Sequence, residues 1–589
     1  MSRGAPITDR VHGVPPVAVS DSDTTVNRTG SWKYIRPVYR DRVAPCNEGC
    51  PVGIDIEAYM NELREGRVDA ALALLLRENP MPAVTGRVCY HPCESVCNRR
   101  NYDESVSIHA VERALGDMAL EAPPAPPETP TRKERVAVIG SGPAGLACAF
   151  HLARFGYGVT VFEAAPEPGG ILRLGIPEYR LPKDLLAREI ARIQSLGITI
   201  KTNARVGADV PWTALDAFDA VFVGTGVHRS LSVGMESEDT PGIRPGLGFL
   251  QEVNLGGRPE LGRRVVVVGG GNTAMDCART ALRLGSETLV LYRRTRAEMP
   301  ATDEEVEEAQ AEGVQFQFLA APVRAKSKDG RLSGVECIRM KLGEADASGR
   351  RRPVPIPGSE FTVPADTLLG AIGEGPDFEA LGADLDHDDW TLATDAFGTT
   401  TDARITAGGD IIDQPHTVAH ALGAGKRAAV AIDARLRREA GETVDAPDLA
   451  ALRYGRLGNV TATRWRGDDP VVRNGAVNKV VPYEELNPAH FTPVRVHPDR
   501  RLSVERSLEG FDEVNLGLTR ELAMAEARRC FNCGVCNRCE LCLIFCPDVA
   551  ISRRPDGTGF EIDYDHCKGC GLCNAECPRG AMAMTREGL

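Results

Sequence analysis

Residues 135–163 read RVAVIGSGPAGLACAFHLARFGYGVTVFE, an apolar strand, a glycine turn, a helix and a second apolar strand that ends in an acid. The turn places Gly140, Gly142 and Gly145 in the spacing G-x-G-x-x-G, with Pro143 and Ala144 opening the helix and Glu163 closing the unit. Glycines at these positions let the backbone turn tightly and approach a pyrophosphate at the helix N-terminus. The acid can accept hydrogen bonds from an adenosine ribose. A glycine string alone is weak evidence, but strand, turn, helix, strand and acid together predict a dinucleotide-binding unit. The pattern recurs at 264–294 as RVVVVGGGNTAMDCARTALRLGSETLVLYRR, so the chain is predicted to be a multidomain α/β protein with two doubly wound nucleotide-binding domains.

The second unit carries Gly269, Gly271 and Ala274, with Asn272 and Thr273 between them, and its last strand runs into Arg293 and Arg294 instead of an acid. An arginine there can pair with a 2′-phosphate, which favours NADP(H) over NAD(H). A solvated basic face is the other reading of these two residues. Further on, ITAGGDIIDQPHTVAHALGAGKRAAVAI at 405–432 gives a strand ending in Gly409 and Asp410, a polar turn with Thr417, and a helix. This segment resembles the second flavin-binding segment of FAD-dependent pyridine-nucleotide oxidoreductases, and Gly170 of the Gly169-Gly170 pair fits the same family. The resemblance implies FAD at the first site, in a domain split into 132–245 and 376–445 by an inserted NAD(P)H domain at 246–375. Disulfide reductases of that kind need a cysteine pair soon after the ribose acid, whereas PGGILRLGIPEYRLPKDLL at 168–186 has none.

Ten of the eighteen cysteines fall in the last sixty residues. Cys536, Cys539, Cys542, Cys546-Pro547 and Cys567, Cys570, Cys573, Cys577-Pro578 both follow the ferredoxin spacing Cys-x2-Cys-x2-Cys-x3-Cys-Pro. In that spacing the fourth cysteine serves the neighbouring [4Fe-4S] cube. One cube is therefore expected on Cys536, Cys539, Cys542 and Cys577, and the other on Cys567, Cys570, Cys573 and Cys546. Cys530 and Cys533 are left over, and five more cysteines stand near the other end at Cys46, Cys50, Cys89, Cys93 and Cys97. Zinc is the competing reading of Cys-x2-Cys pairs. Cys148, Cys277 and Cys337 lie alone in apolar or helical settings and read as inert buried thiols.

A hydrophobic fraction of 42% over 589 residues is enough for several cores, about three to five domains. Net charge of −13 without a long basic block argues against nucleic acid or an anionic membrane surface as partner. No secretory signal and no long apolar run is visible, so a cytoplasmic protein is expected. Residues 1–30 read as a flexible arm, 55–78 as a helical segment, 121–131 as a Pro-rich linker, and 446–529 as a long irregular connection.

Cys46-x3-Cys50-Pro51, TGRVCYHPCESVC at 85–97, the two nucleotide units and YRRTRAEMPA at 292–301 together resemble the small subunit of NADPH-dependent glutamate synthase and its relatives. The likeness covers roughly 40–440, and the tail points to the subgroup that ends in two ferredoxin clusters. Relatives hold two [4Fe-4S] clusters in a helical N-terminal domain, here 31–120, but this chain lacks the leading Cys-x2-Cys. The resemblance therefore implies that the ferredoxin-like region, 530–589, folds back and donates Cys530 and Cys533 to a cluster with Cys46 and Cys97. Cys50, Cys89, Cys93 and Glu112 would hold the other, completing four clusters. A free dithiol at Cys530 and Cys533, a single N-terminal cluster, and a surface role for Glu112 are the alternatives.

The expected activity is hydride transfer between NADP(H) and FAD, followed by single-electron traffic through the clusters to or from a larger partner. Hydride transfer needs no catalytic acid or base, so cofactor and cluster contacts are the candidate residues. A 2-oxoacid oxidoreductase leads the partners, with sulfite reductase next and a soluble ferredoxin also compatible. Service to glutamate synthase itself, and a non-catalytic wiring subunit, are the competing functions.

Overall fold

The computed structural model describes residues 28–122, 129–345, 349–379, 384–469 and 479–587. Most of the expected N-terminal arm and the middle of the Pro-rich linker lie outside the described residues.

The first nucleotide domain is built on a five-stranded parallel sheet in the order Ile405–Ala407, Ala220–Val223, Arg135–Ile139, Gly158–Phe162, Thr199–Lys201. Val136, Val138, Val221 and Val223 are fully buried, as expected for a parallel sheet covered on both faces. Ile405–Ala407 pairs with Ala220–Val223 after a long excursion, so the domain is interrupted. The excursion forms a second parallel sheet, in the order Gln315–Phe318, Glu287–Tyr292, Arg264–Val268, Thr367–Gly370, Ile243–Pro245. An antiparallel layer, Ala320–Lys328, Arg331–Ala345, Arg351–Pro355 and Phe361–Pro364, leans on it.

The N-terminal domain is helical. Its expected single helical segment is two helices, Ile56–Arg64 and Val68–Glu78, because the chain turns at Gly66 with φ of +80°, a conformation glycine adopts without penalty. Helices Pro82–Val88 and Ile108–Ala119 cross closely on two glycines: a Cβ on Gly86 would press on the backbone of Arg113, and one on Gly116 would collide with Ala83.

The two ends of the chain meet. Strand Ile35–Tyr39, assigned from sequence to the N-terminal domain, pairs antiparallel with Met582–Arg586, so it completes a sheet of the C-terminal domain instead. Gly30 N donates to the Asp565 carbonyl at 2.9 Å, and Arg42 Nε to that of Gly580 at 2.9 Å. A four-to-six-residue apolar strand carries no sign in sequence of which partner it will choose.

The connection from 446 onward runs along the N-terminal domain as short helices and turns. Tyr454 Oη donates to Asp55 Oδ2 at 3.0 Å, Leu457 N to Glu48 at 3.1 Å, and Asn98 Nδ2 to the Val481 carbonyl at 2.9 Å. Helix Arg520–Arg529 then docks beside the N-terminal helices. There Glu526 accepts from Ser107 N at 2.8 Å, and Arg529 donates to the Ser105 and Glu104 carbonyls at 3.0 and 2.8 Å. No helix among the described residues is long and apolar enough to cross a membrane.

Candidate functional site

The first glycine turn is shaped as its spacing requires. Gly140 has φ of +94° and lies against the Gly224 carbonyl, while a Cβ on Gly145 would strike the Gly140 carbonyl, so the helix packs on the strand only because that position is bare. Gly142 caps helix Pro143–Arg154, and a Cβ there would meet nothing within 4 Å. This opening at a helix N-terminus is room for an anion. Gly170, at φ +55°, closes against Gly142, which brings the two glycine motifs into contact.

Glu163 is buried, and its carboxylate accepts from Ser141 N at 2.9 Å and Ala165 N at 2.7 Å. Asp410 follows Gly409, which has φ of +83° and faces Ala144. Among the described residues, Asp410 Oδ1 is buried without a hydrogen-bond partner. Burial raises the Asp410 pKa, with His416 opposing. A polar atom in that condition costs about 1–3 kcal/mol unless a ligand satisfies it. An open helix N-terminus at one end and an unpaired acceptor at the other fit the pyrophosphate and polyol of a flavin dinucleotide. Thr417 caps helix Val418–Glu439 with its own hydroxyl, accepting from His420 N at 3.2 Å.

The second turn repeats the design. Gly269, at φ +151°, lies against the Ala371 carbonyl; Gly271 caps helix Asn272–Arg283, where a Cβ would touch only Pro300 Cγ at 4.0 Å; Ala274 is fully buried. Asn272 spans two neighbours, accepting from Thr302 N at 3.0 Å and donating to Tyr90 Oη at 2.7 Å, and Thr273 beside it is half-buried. The two arginines part company. Arg293 is exposed at the strand end, whereas Arg294 is buried and donates through Nε to the Arg351 carbonyl at 2.8 Å.

The two nucleotide domains are joined through Arg180 of the GIPEYRLP stretch. Its guanidinium lies 2.8 Å from Asp276 Oδ2 on helix Asn272–Arg283 and 2.6 Å from Glu305 on the following helix. Lys183 pins the same stretch by donating to the Leu172 carbonyl at 3.0 Å, and burial lowers its pKa to about 7.

The cysteines gather into sets. Cys46, Cys97, Cys530 and Cys533 line one cavity with Ile56, Met60 and Phe531. Burial, then neighbouring thiols, pushes Cys46 well up, and burial pushes Cys530 up to about 12. Thiols this reluctant to ionise are made thiolates by a cationic core among them, which is the chemistry of a metal cluster. Cys50 and Cys89 neighbour each other and Glu112, and Cys93 neighbours both of those thiols. Glu112 is buried, its Oε1 held by Asn79 Nδ2 at 2.8 Å and by the Thr85 hydroxyl, and burial raises its pKa to about 7.

In the tail, Cys536, Cys539, Cys542 and Cys577 line one cavity, and Cys546, Cys567, Cys570 and Cys573 another. The fourth cysteine of each run thus sits with the other run. Tyr39 Oη lies 3.3 Å from Cys542 Sγ, a contact no local motif announces. Cys148, Cys277 and Cys337 are fully buried away from these sets. His109 is held between Glu94, the residue after Cys93, at 2.8 Å and Asp499 at 3.5 Å.

One contact links flavin fold and thiolate sets. A Cβ on Gly423, in the helix behind Asp410, would collide with the carbonyl of Pro51, the residue after Cys50. Asn459 of the connection donates to that same carbonyl.

Residues 134–425 match the profile of pyridine nucleotide-disulphide oxidoreductases, 40–123 that of dihydropyrimidine dehydrogenase domain II with its 4Fe-4S cluster, and 560–583 that of 4Fe-4S binding domains. The small chain of Escherichia coli NADPH glutamate synthase is 38% identical over 65% of this chain and 87% of its own length. The chain belongs to the glutamate synthase small-subunit-like oxidoreductase family.

Within that family the chain is an FAD-dependent pyridine-nucleotide oxidoreductase with 4Fe-4S domains. It is 44% identical to the beta subunit of NADP(+)-dependent formate dehydrogenase from Moorella thermoacetica, over 67% of this chain and 60% of that subunit. It is 40% identical to the beta subunit of NADPH-Fe(3+) oxidoreductase from Geobacter sulfurreducens, over 83% of this chain and 75% of that one. The chain thus spans only part of the length of either subunit. No cysteine occurs between Cys148 and Cys277, so the stretch after Glu163 carries no cysteine pair.

Proposed function

We propose that this chain is the nucleotide-facing subunit of a larger redox enzyme, exchanging electrons between NADP(H) and a partner through FAD and four [4Fe-4S] clusters. Bound FAD would supply the conversion between the hydride pair of a nicotinamide and the single electrons that iron-sulfur cubes carry.

The chain's own residues have distinct tasks in this reading. The helix N-terminus at Gly142 holds the FAD pyrophosphate, with Pro143, Ala144 and Gly145 shaping the turn, Glu163 at the ribose and Asp410 at the polyol. Gly271, Asn272 and Thr273 receive the NADP(H) pyrophosphate, and exposed Arg293 the 2′-phosphate. Arg180 fixes the angle between the domains so that the two cofactors meet. Cys46, Cys97, Cys530 and Cys533 are the ligands of one cluster; Cys50, Cys89, Cys93 and Glu112 of a second; the two crossed tail sets of the others.

The observation that carries this reading is the contact between the flavin-side helix at Gly423 and Pro51 beside Cys50, which sets the flavin fold next to the loop that carries Cys50. A wiring subunit without nucleotide chemistry has no use for the open turns at Gly142 and Gly271. The similarity to a formate dehydrogenase beta subunit favours a dehydrogenase partner of that kind, ahead of a 2-oxoacid oxidoreductase or sulfite reductase. Adding NADPH anaerobically to purified holoprotein is expected to bleach its flavin absorbance, with about sixteen irons per chain. Protein that binds FAD yet is not bleached by NADPH would overturn the proposal, and co-purification names the partner.

A further inference from the structure

Arg579 is a buried cation between the cavity lined by Cys46, Cys97, Cys530 and Cys533 and the cavity lined by Cys536, Cys539, Cys542 and Cys577. It follows Cys577-Pro578 and itself lines the second cavity. Its Nη1 donates to the carbonyl of Phe531, the residue after Cys530, and lies 3.3 Å from Asn532 Oδ1. Nε donates to Oδ1 of Asn537, the residue after Cys536. The Arg579 carbonyl accepts from Gly534 N, just past Cys533, at 2.6 Å. One side chain is therefore tied to the loops of two thiolate sets.

Its acceptors are all neutral. Carbonyl and amide oxygens take the hydrogen bonds, the Phe491 ring lies 5.6 Å from the guanidinium carbon, and among the described residues no carboxylate pairs with it. Arg64 donates to the same Asn532 Oδ1 at 2.6 Å, which adds positive charge instead of cancelling it. A guanidinium stays charged under all ordinary conditions, and burying one without an anion is expensive. The anions within reach are the thiolate sets on either side, ahead of the more weakly felt carboxylate of Glu57.

We propose that Arg579 is the shared counter-ion of these two clusters, raising both reduction potentials together; the inference rests on the reading of the two sets as cluster ligands. A fixed positive charge favours the reduced, more negative form of each neighbour. Because it faces both, it moves the two potentials the same way and leaves the difference between them little changed.

The test is a redox titration of holoprotein followed by electron paramagnetic resonance, with iron content and melting temperature measured alongside. Arg579→Gln keeps an amide donor but removes the charge, and Asn537→Asp keeps the arginine but sets a carboxylate at its Nε. Arg579→Gln is expected to lower both potentials by about tenfold in the reduction equilibrium, 59 mV for a one-electron couple. Asn537→Asp is expected to lower chiefly that of the Cys536 set. Iron-replete variants with unmoved potentials would overturn the proposal; should Arg579→Gln fail to hold iron, an unmoved potential in Asn537→Asp does so alone. Wild-type protein with neither signal would overturn the ligand reading instead, so the two failures are distinguishable.

Discussion

Glu78 is where three parts of the chain meet, and removing it tests how they are held. It ends helix Val68–Glu78, and its Oε2 lies 2.5 Å from Nζ of Lys426, a fully buried cation on the flavin-side helix Val418–Glu439. The same carboxylate accepts from Ala462 N at 2.9 Å, Thr463 N at 3.0 Å and the Thr463 hydroxyl at 2.7 Å, all in the connection. Glu78→Gln leaves Lys426 charged, buried and facing an amide that can no longer accept everywhere the carboxylate did. Breaking a buried pair from one side costs about 3–5 kcal/mol. At about 2–4 °C per kcal/mol for a unit of 150–250 residues, melting should fall by roughly 6–20 °C. Lys426→Met should cost less than Glu78→Gln, because the carboxylate keeps its three connection donors. The double variant should fall short of the sum, since the charge left unpaired by one change is removed by the other. Calorimetry of cofactor-replete protein checks this. Single variants melting within about 2 °C of wild type, or a strictly additive double variant, would refute the reasoning.

Other expectations follow from the same geometry. Arg180→Gln leaves Asp276 and Glu305 without their shared cation and frees the domain angle; flavin reduction by NADPH should slow by about 10- to 100-fold in stopped flow, while photochemical reduction is unchanged. Arg293→Gln should raise KM for NADPH about tenfold or more and leave KM for NADH unaltered, read from steady-state kinetics. Gly142→Ala should weaken FAD binding about tenfold or more yet leave melting of the apoprotein within about 1 °C, because the added Cβ meets nothing within 4 Å, whereas Gly145→Ala should fail to fold. His109 is raised to about 10 by Glu94 and Asp499 against burial, so its contribution is full below the ordinary pKa near 6.5 and is lost as pH rises through about 10. The melting temperature should therefore fall more steeply between pH 6.5 and 10 in wild type than in His109→Gln.

Local spacing made much of this molecule legible. Each glycine turn and each cysteine run is written within some thirty residues, and tight turns and crossed thiolates require those residues at those intervals. The break at Gly66 was written too, but the apolar period continues across it and masked the turn. What sequence did not reveal lies in contacts between distant segments. Ile35–Tyr39 has no mark of its partner at Met582–Arg586; Arg294 looks like Arg293 until the Arg351 carbonyl claims it; Tyr90 meets Asn272 only when two domains dock. Arg579 reads as an ordinary charge after Cys-Pro until the ends of the chain close around it.

The central claim is that the tail completes an N-terminal cluster, joining the flavin side of the chain to its ferredoxin-like end. Iron counted per chain in a Cys530→Ser/Cys533→Ser variant, purified anaerobically beside wild type, tests it most directly. The account predicts loss of one cluster's iron, about four atoms, with FAD retained and still bleached by NADPH. An unchanged iron count would contradict it.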